Sequence, residues 1–279
     1  MQLTLAKRLL LVGLLCCFAV QAKAGQASNH PSKLDLPSLN DVNYQKLADK
    51  IFKNEANLNP DYLTHWNTGE DFPSLGIGHF IWLTPQAKQS KVVFEETFPQ
   101  MFAFVSTKVP APLWLNALNP FEVPWKNKAE FDQAWSKKDL IALRQWLFST
   151  QQYQAEFIVS QFLAKWQNRL VSLPLETQQS LSAKLNLLLS SEKGLYAVID
   201  YFNFKGLGFN AKEQYQGKGW GLMDALANLP ANITESDALP QFIKQAKTQL
   251  QQRIALSPPE RDEQRWLKGW FKRLEGYNN

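Results

Sequence analysis

The sequence predicts a mainly α fold with a small irregular or β element near its N-terminal end. Three observations carry that expectation. Apolar residues recur at three- and four-residue intervals in several long stretches. Strand-like signals are few and short and gather between about residues 72 and 83. Glycine and proline punctuation is dense from Gly69 to Pro124 and sparse afterwards, which leaves the second half free for helices.

The elements follow in order. Met1 to Arg8 is short and basic, Leu9 to Val20 is apolar, and Ala22-Lys23-Ala24 places small residues where a signal peptidase reads. The expectation is a cleaved secretory signal, residues 1–24, and an exported periplasmic or secreted chain. Twelve apolar residues fall short of the roughly 20 that cross a bilayer. Cys16 and Cys17, the two cysteines of the sequence, would leave with the signal. The mature chain is then expected to have no disulfide and no thiol chemistry.

Residues 25–40 are polar and proline-punctuated and read as a tether. From Asp41 the pattern turns helical, with Tyr44, Leu47 and Ile51 on one face. The loop-rich segment of Gly69, Pro73, Gly76 and Gly78 comes next, then proline-interrupted sequence to Pro124. Ser136-x-x-Asp139 has the form of a capping box before an apolar run. Ile158, Phe162, Trp166 and Leu170 make one helical stripe, and Phe242, Ala246, Leu250 and Ile254 another. Pro258-Pro259 suits the first turn of a last helix carrying Trp266, Trp270 and Leu274.

Composition narrows the function classes. Without Lys7, Arg8 and Lys23 the chain holds 27 basic residues against 25 acidic ones, too mild an excess to argue for nucleic acid. No second apolar stretch approaches membrane-spanning length, so no membrane contact is expected after signal cleavage. Gly217-Lys218-Gly219-Trp220-Gly221 lacks the spacing of a phosphate loop and reads as a turn before a helix from Trp220. His30, His65 and His79 have no metal-ligand spacing, so no metal or other cofactor is expected, and the chain is read as a monomer.

Glu55 is the most informative single residue. It lies four positions after Ile51 and three after Phe52, so it continues the apolar face of its helix. A carboxyl at the core edge loses hydration, which suits it to donate a proton; the alternative is a helix-end glutamate turned to water. Fifteen residues on come Glu70 and Asp71, then Ser74-Leu75-Gly76-Ile77-Gly78-His79. A hairpin folding back over the helix end would bring a second carboxylate near Glu55, the pairing glycoside hydrolysis requires, with Ser74 to hold the water.

This order of residues resembles the active-site segment of phage-type lysozymes, in which a glutamate closes the first long helix and a Gly-Ile-Gly-His-like turn follows in a β-hairpin. The resemblance implies an α+β lysozyme-like fold: a small N-terminal lobe with the hairpin, a larger helical lobe, and an active-site cleft between them. Residues 41–279 would form one such domain, with 41–84 the active-site segment, 85–190 an expanded region without family correspondence, and 191–279 the C-terminal helical part. It implies that Glu55 is the proton donor, that Ser74 is the family's hydroxyl residue, and that His79, with Gly76 and Gly78, is structural. The gap from Glu55 to His79 is longer than in the family, and no acid falls on the family's second position. Glu70 and Asp71 are both left as candidates for the base. Pro259-Glu260-Arg261 is similar to the family's Pro-x-Arg element, which makes Arg261 the candidate partner of Glu55. Tyr201 to Gly206 is similar to its cleft-facing helix end, which makes Asn203 a candidate sugar contact. Trp66 is a further candidate, as a platform for a sugar ring.

The expected activity is acid/base hydrolysis, with inversion, of β-1,4 bonds in peptidoglycan or a related aminosugar polymer. Two alternatives stand beside it: a catalytically silent protein that binds a glycan or partner through the same cleft, and a lytic transglycosylase, which needs one glutamate and no base.

Overall fold

A computed structural model describes residues 42–90 and 94–278. The expected signal and tether lie outside the described residues. The fold is mainly helical, as the periodicity predicts, with two small antiparallel sheets.

Helix α1 (Tyr44–Ala56) opens on Asn43, whose side chain accepts the Lys46 N–H at 3.0 Å. It stops at Asn57 and Leu58, both at positive φ, a conformation asparagine tolerates well. Glu55 therefore stands at the last turn, beside the point where the chain reverses. A 3-10 turn (Pro60–Leu63) leads into the first sheet: β1 (Thr64–His65), β2 (Ser74–Leu75) and β3 (Phe80–Ile81), antiparallel and in that order. The register sets His65 opposite Ser74, and Ser74 opposite Ile81. Short helices follow: α2 (Pro85–Gln89), α3 (Phe98–Ser106), α4 (Leu113–Asn116) and α5 (Lys128–Gln133).

The larger helices are α6 (Lys138–Ser149), α7 (Gln151–Leu170), α8 (Leu175–Leu189) and α9 (Glu192–Lys205). Ser136 does not cap α6: its N-cap is Lys137, which makes no side-chain capping bond. The stripe of Ile158, Phe162, Trp166 and Leu170 on α7 is buried, and α7 is the principal support of α1. Region 85–190 thus supplies, through α7, the support under α1 and the helix end that carries Glu55.

The remaining elements are the hairpin β4 (Gln214–Tyr215) and β5 (Lys218–Gly219), then α10 (Leu222–Ala227), α11 (Glu235–Leu256) and α12 (Leu267–Glu275). Gln216 and Gly217, both at positive φ, close that hairpin with the turn type two-residue loops favour. Pro258-Pro259 opens only a 3-10 turn, Pro259–Arg261. Asp262 at φ 45° breaks the chain direction, and α12 starts five residues later, after a second 3-10 turn (Glu263–Trp266). Phe242, Ala246 and Leu250 of α11 and Trp270 and Leu274 of α12 are buried, while Trp266 remains partly exposed.

Candidate active site

Glu55 is held from a distance of more than 200 residues along the chain. Its Oε1 accepts a hydrogen bond from Arg273 Nη2 of α12. Arg273 is itself fixed by Asp200 of α9, which accepts from Nε and Nη2 at 2.8 Å each in a two-pronged pair. Tyr277 donates its hydroxyl to the same carboxylate at 2.6 Å. Burial works against the Arg273 cation, but the Asp200 hydrogen bonds and the charges of Asp200 and Glu55 outweigh it and hold the arginine pKa above its ordinary value. Asp200 is buried, so its charge is matched within the protein.

Arg261 does not take the role expected of it. The break at Asp262 separates it from α12, and its Nε sits 3.3 Å from Glu263 Oε1. The arginine that reaches Glu55 comes twelve positions later, on the helix that packs against α11.

The turn from Gly76 to His79 lies on the other side of Glu55. Gly76 has φ 71°, and a Cβ there would stand 2.3 Å from Gln154 Oε1 of α7. A Cβ on Gly78 would meet the Phe80 ring at 2.7 Å. Gly76 therefore needs glycine for conformation and for close approach, and Gly78 for close approach alone. Gln154 secures the turn: its Oε1 accepts the Ile77 N–H at 3.0 Å, while its Nε2 donates to Leu147 O and Thr150 Oγ1. His79, expected to be structural, makes no side-chain hydrogen bond among the described residues that would brace the hairpin. With φ 47° its ring turns toward Glu55, Nδ1 lying 3.8 Å from Oε2, and the bracing falls to Gln154. Burial lowers the His79 pKa, opposed by Glu55 and, more weakly, by Glu70, while His65 and Arg273 add to the lowering. The His79 side chain nevertheless remains 42% exposed.

The two candidate bases separate. Glu70 is one of the charges that act on His79 and takes a hydrogen bond from Asn67 Nδ2 at 3.1 Å. Asp71 is exposed and contributes a backbone carbonyl to Thr84 Oγ1. Ser74 is buried in the central strand, cross-strand from His65 and hence on the same face of the sheet. Trp66 is not a sugar platform: its ring is 2% exposed, packs on Phe131 and donates Nε1–H to Glu70 O at 2.7 Å. That bond fixes the loop that carries Glu70. Trp82 and Trp220 are likewise core.

Gly78 and Asn203 line one groove of about 710 Å³, with Phe80, Phe157 and Phe202 supplying ring surface. Asn203 is one turn beyond Asp200 on α9, so the groove and the Arg273 anchor are joined through a single helix. Along its far side stand Lys165, Arg169 and Glu213; burial raises the Glu213 pKa, partly offset by the Gly208 N–H it accepts. Among the described residues no group of three or more His, Cys, Asp or Glu converges as a metal site. No described helix is long and apolar enough to cross a membrane.

Sequence reasoning missed Arg273, Asp200, Tyr277 and Gln154. Asp200 carried a usable signal, since an acid amid Val198, Ile199 and Tyr201 sits in an apolar run and needs a cation from elsewhere. No family model, curated protein or solved structure matches the chain significantly.

Proposed function

We propose that this chain is an exported glycosidase that cleaves β-1,4 bonds of peptidoglycan or a related aminosugar polymer by acid/base hydrolysis with inversion. The observation that carries the reading is Glu55: a carboxyl at a helix end, gripped on one oxygen by Arg273, with its other oxygen facing a glycine-hinged turn that walls a groove. Glu55 is the proton donor to the leaving oxygen. Glu70, which shares the His79 surroundings, is the base in preference to the exposed Asp71, and Ser74 positions the attacking water. Asn203 offers an amide to sugar hydroxyls, and the half-buried Phe202 ring offers an apolar face. The chain acts as a monomer without metal or cofactor.

Glu55 held by one arginine, with a single candidate base nearby, also suits a lytic transglycosylase, and the same groove suits a silent glycan binder. One experiment separates the three. The purified full chain is incubated with purified peptidoglycan and the products are read by mass spectrometry. Muropeptides with new reducing ends are expected. Anhydro-muropeptides would replace hydrolysis by transglycosylation, and binding without release would replace catalysis by recognition.

A further inference from the structure

A second groove, of about 860 Å³, lies where α1, α9 and α12 meet, and its lining is unlike that of the first. Lys50, Lys53, Lys272 and Arg273 face it, against Glu275 as its single acid. Glu275 is paired with Lys247 at 2.7 Å, and Arg273 is committed to Asp200 and Glu55. Lys50 packs over the Tyr196 ring at 5.2 Å. Lys53 and Lys272 are exposed, and among the described residues neither ammonium meets a carboxylate. Two helices remote in sequence thus place lysines on one concavity whose acids are already answered.

The floor is also kept open. Gly269 and Gly276 line the groove, and a Cβ at either would meet nothing within 4 Å. Gly269 lies inside α12, where glycine weakens a helix relative to alanine, yet no neighbour crowds it. Asn54 and the Tyr196 hydroxyl, hydrogen-bonded to each other, add neutral polar groups to the wall.

We propose that this groove binds a phosphate-bearing ligand. Charge favours phosphate over carboxylate: several lysines act as point charges on one concavity, and a phosphate group carrying about −1.5 to −2 at neutral pH answers more of them than a singly charged carboxylate. The site is separate from the groove of Gly78 and Asn203, and it stands whether or not Glu55 cleaves glycans. Free phosphate compounds and lipid headgroups offer the same chemistry, and the test distinguishes them.

Isotope-labelled full chain is titrated with inorganic pyrophosphate and followed by amide resonances. Separately it is floated with phosphatidylcholine vesicles with and without phosphatidylglycerol. Saturable shifts confined to residues 50–54 and 269–276 are expected. The double variant Lys53→Glu, Lys272→Glu, both at exposed positions, should keep the wild-type melting curve and bind about tenfold or more weakly, since two attractions become repulsions. Arg169→Glu, in the other groove, should bind as the wild type does. Flotation only with phosphatidylglycerol, lost in the double variant, assigns the ligand to a membrane headgroup; pyrophosphate binding without flotation assigns it to a soluble phosphate. Absence of binding in both arms overturns the proposal, as does binding that survives the double substitution.

Discussion

Among the described residues two glutamates pair with arginines, Glu263 and Glu55, and their surroundings differ in how completely each carboxylate is answered. Glu263, in the 3-10 turn before α12, has a fully buried side chain. Arg253 binds it with two hydrogen bonds at 2.6 and 2.8 Å, Tyr215 donates at 2.8 Å, and Arg261 approaches at 3.3 Å. Burial pushes its pKa up, but these partners outweigh it and leave the carboxyl below its ordinary value. Glu55 has one arm of one arginine, which is shared with Asp200, and its side chain is 17% exposed. Its second oxygen lies 3.8 Å from His79 Nδ1. A carboxylate with all its lone pairs answered holds structure together. One left half-answered and partly exposed is free to exchange a proton with a group that reaches it.

That contrast accounts for what the sequence revealed and what it concealed. The apolar stripes of α1, α7 and α11 were legible because helical periodicity is a local property, and so was the placement of Glu55 on a half-buried face. The glycines of the Gly76 to His79 turn were legible for the same reason. The anchor was not, because Glu55 and Arg273 are brought together by tertiary packing that no local spacing encodes. Arg261 satisfied a short motif, but Asp262 at φ 45° directs it into the Glu263 cluster instead. Trp66 was misjudged because a tryptophan beside a glycine-rich loop can face either way, and the Glu70 carbonyl turned it inward.

Several substitutions sharpen the comparison. Among the groups around Glu55, the largest effect is expected at Glu70. Glu70→Gln should lower turnover of labelled peptidoglycan by about 10²-fold or more, the scale of a lost general base, while Asp71→Asn stays within about threefold. The reverse ranking would place the base on Asp71.

Asp200→Asn comes next. It removes the charge that occupies most of Arg273, so the guanidinium acts more strongly on Glu55. Turnover should fall by roughly tenfold, and the alkaline limb of the pH–rate profile should move to lower pH, a shift that simple loss of folding does not produce. An unchanged profile would confine Asp200 to a structural part.

The smallest effect concerns Lys205, a buried lysine whose ammonium lies 3.4 Å from the Trp270 ring centre and 3.9 Å from that of Phe204. Burial and then the Arg253 charge lower its pKa from 10.5 to about 6. Above pH 6 the folded chain carries it neutral, whereas the unfolded chain keeps it charged up to about 10.5. The unfolded state then holds the extra proton, so stability rises with pH across that window, by at most about 1.4 kcal/mol per pH unit for one proton. Denaturant melts of wild type and Lys205→Met from pH 6 to 10 check this. The variant should lose the slope, and equal slopes would show that the lysine stays charged in the fold.

The most direct measurement is a crossed comparison of Glu55→Gln and Glu263→Gln, each purified as the full chain and assayed for reducing ends released from peptidoglycan alongside a thermal melt. Glu55→Gln should lose about 10²–10⁴-fold in turnover with its melting temperature within a few degrees of wild type. Glu263→Gln should keep turnover per folded molecule but lose roughly 3 kcal/mol of stability, about 5–10 °C in Tm, because Arg253 is left buried without its counter-charge. Wild-type turnover in Glu55→Gln would contradict the assignment of Glu55 as the proton donor.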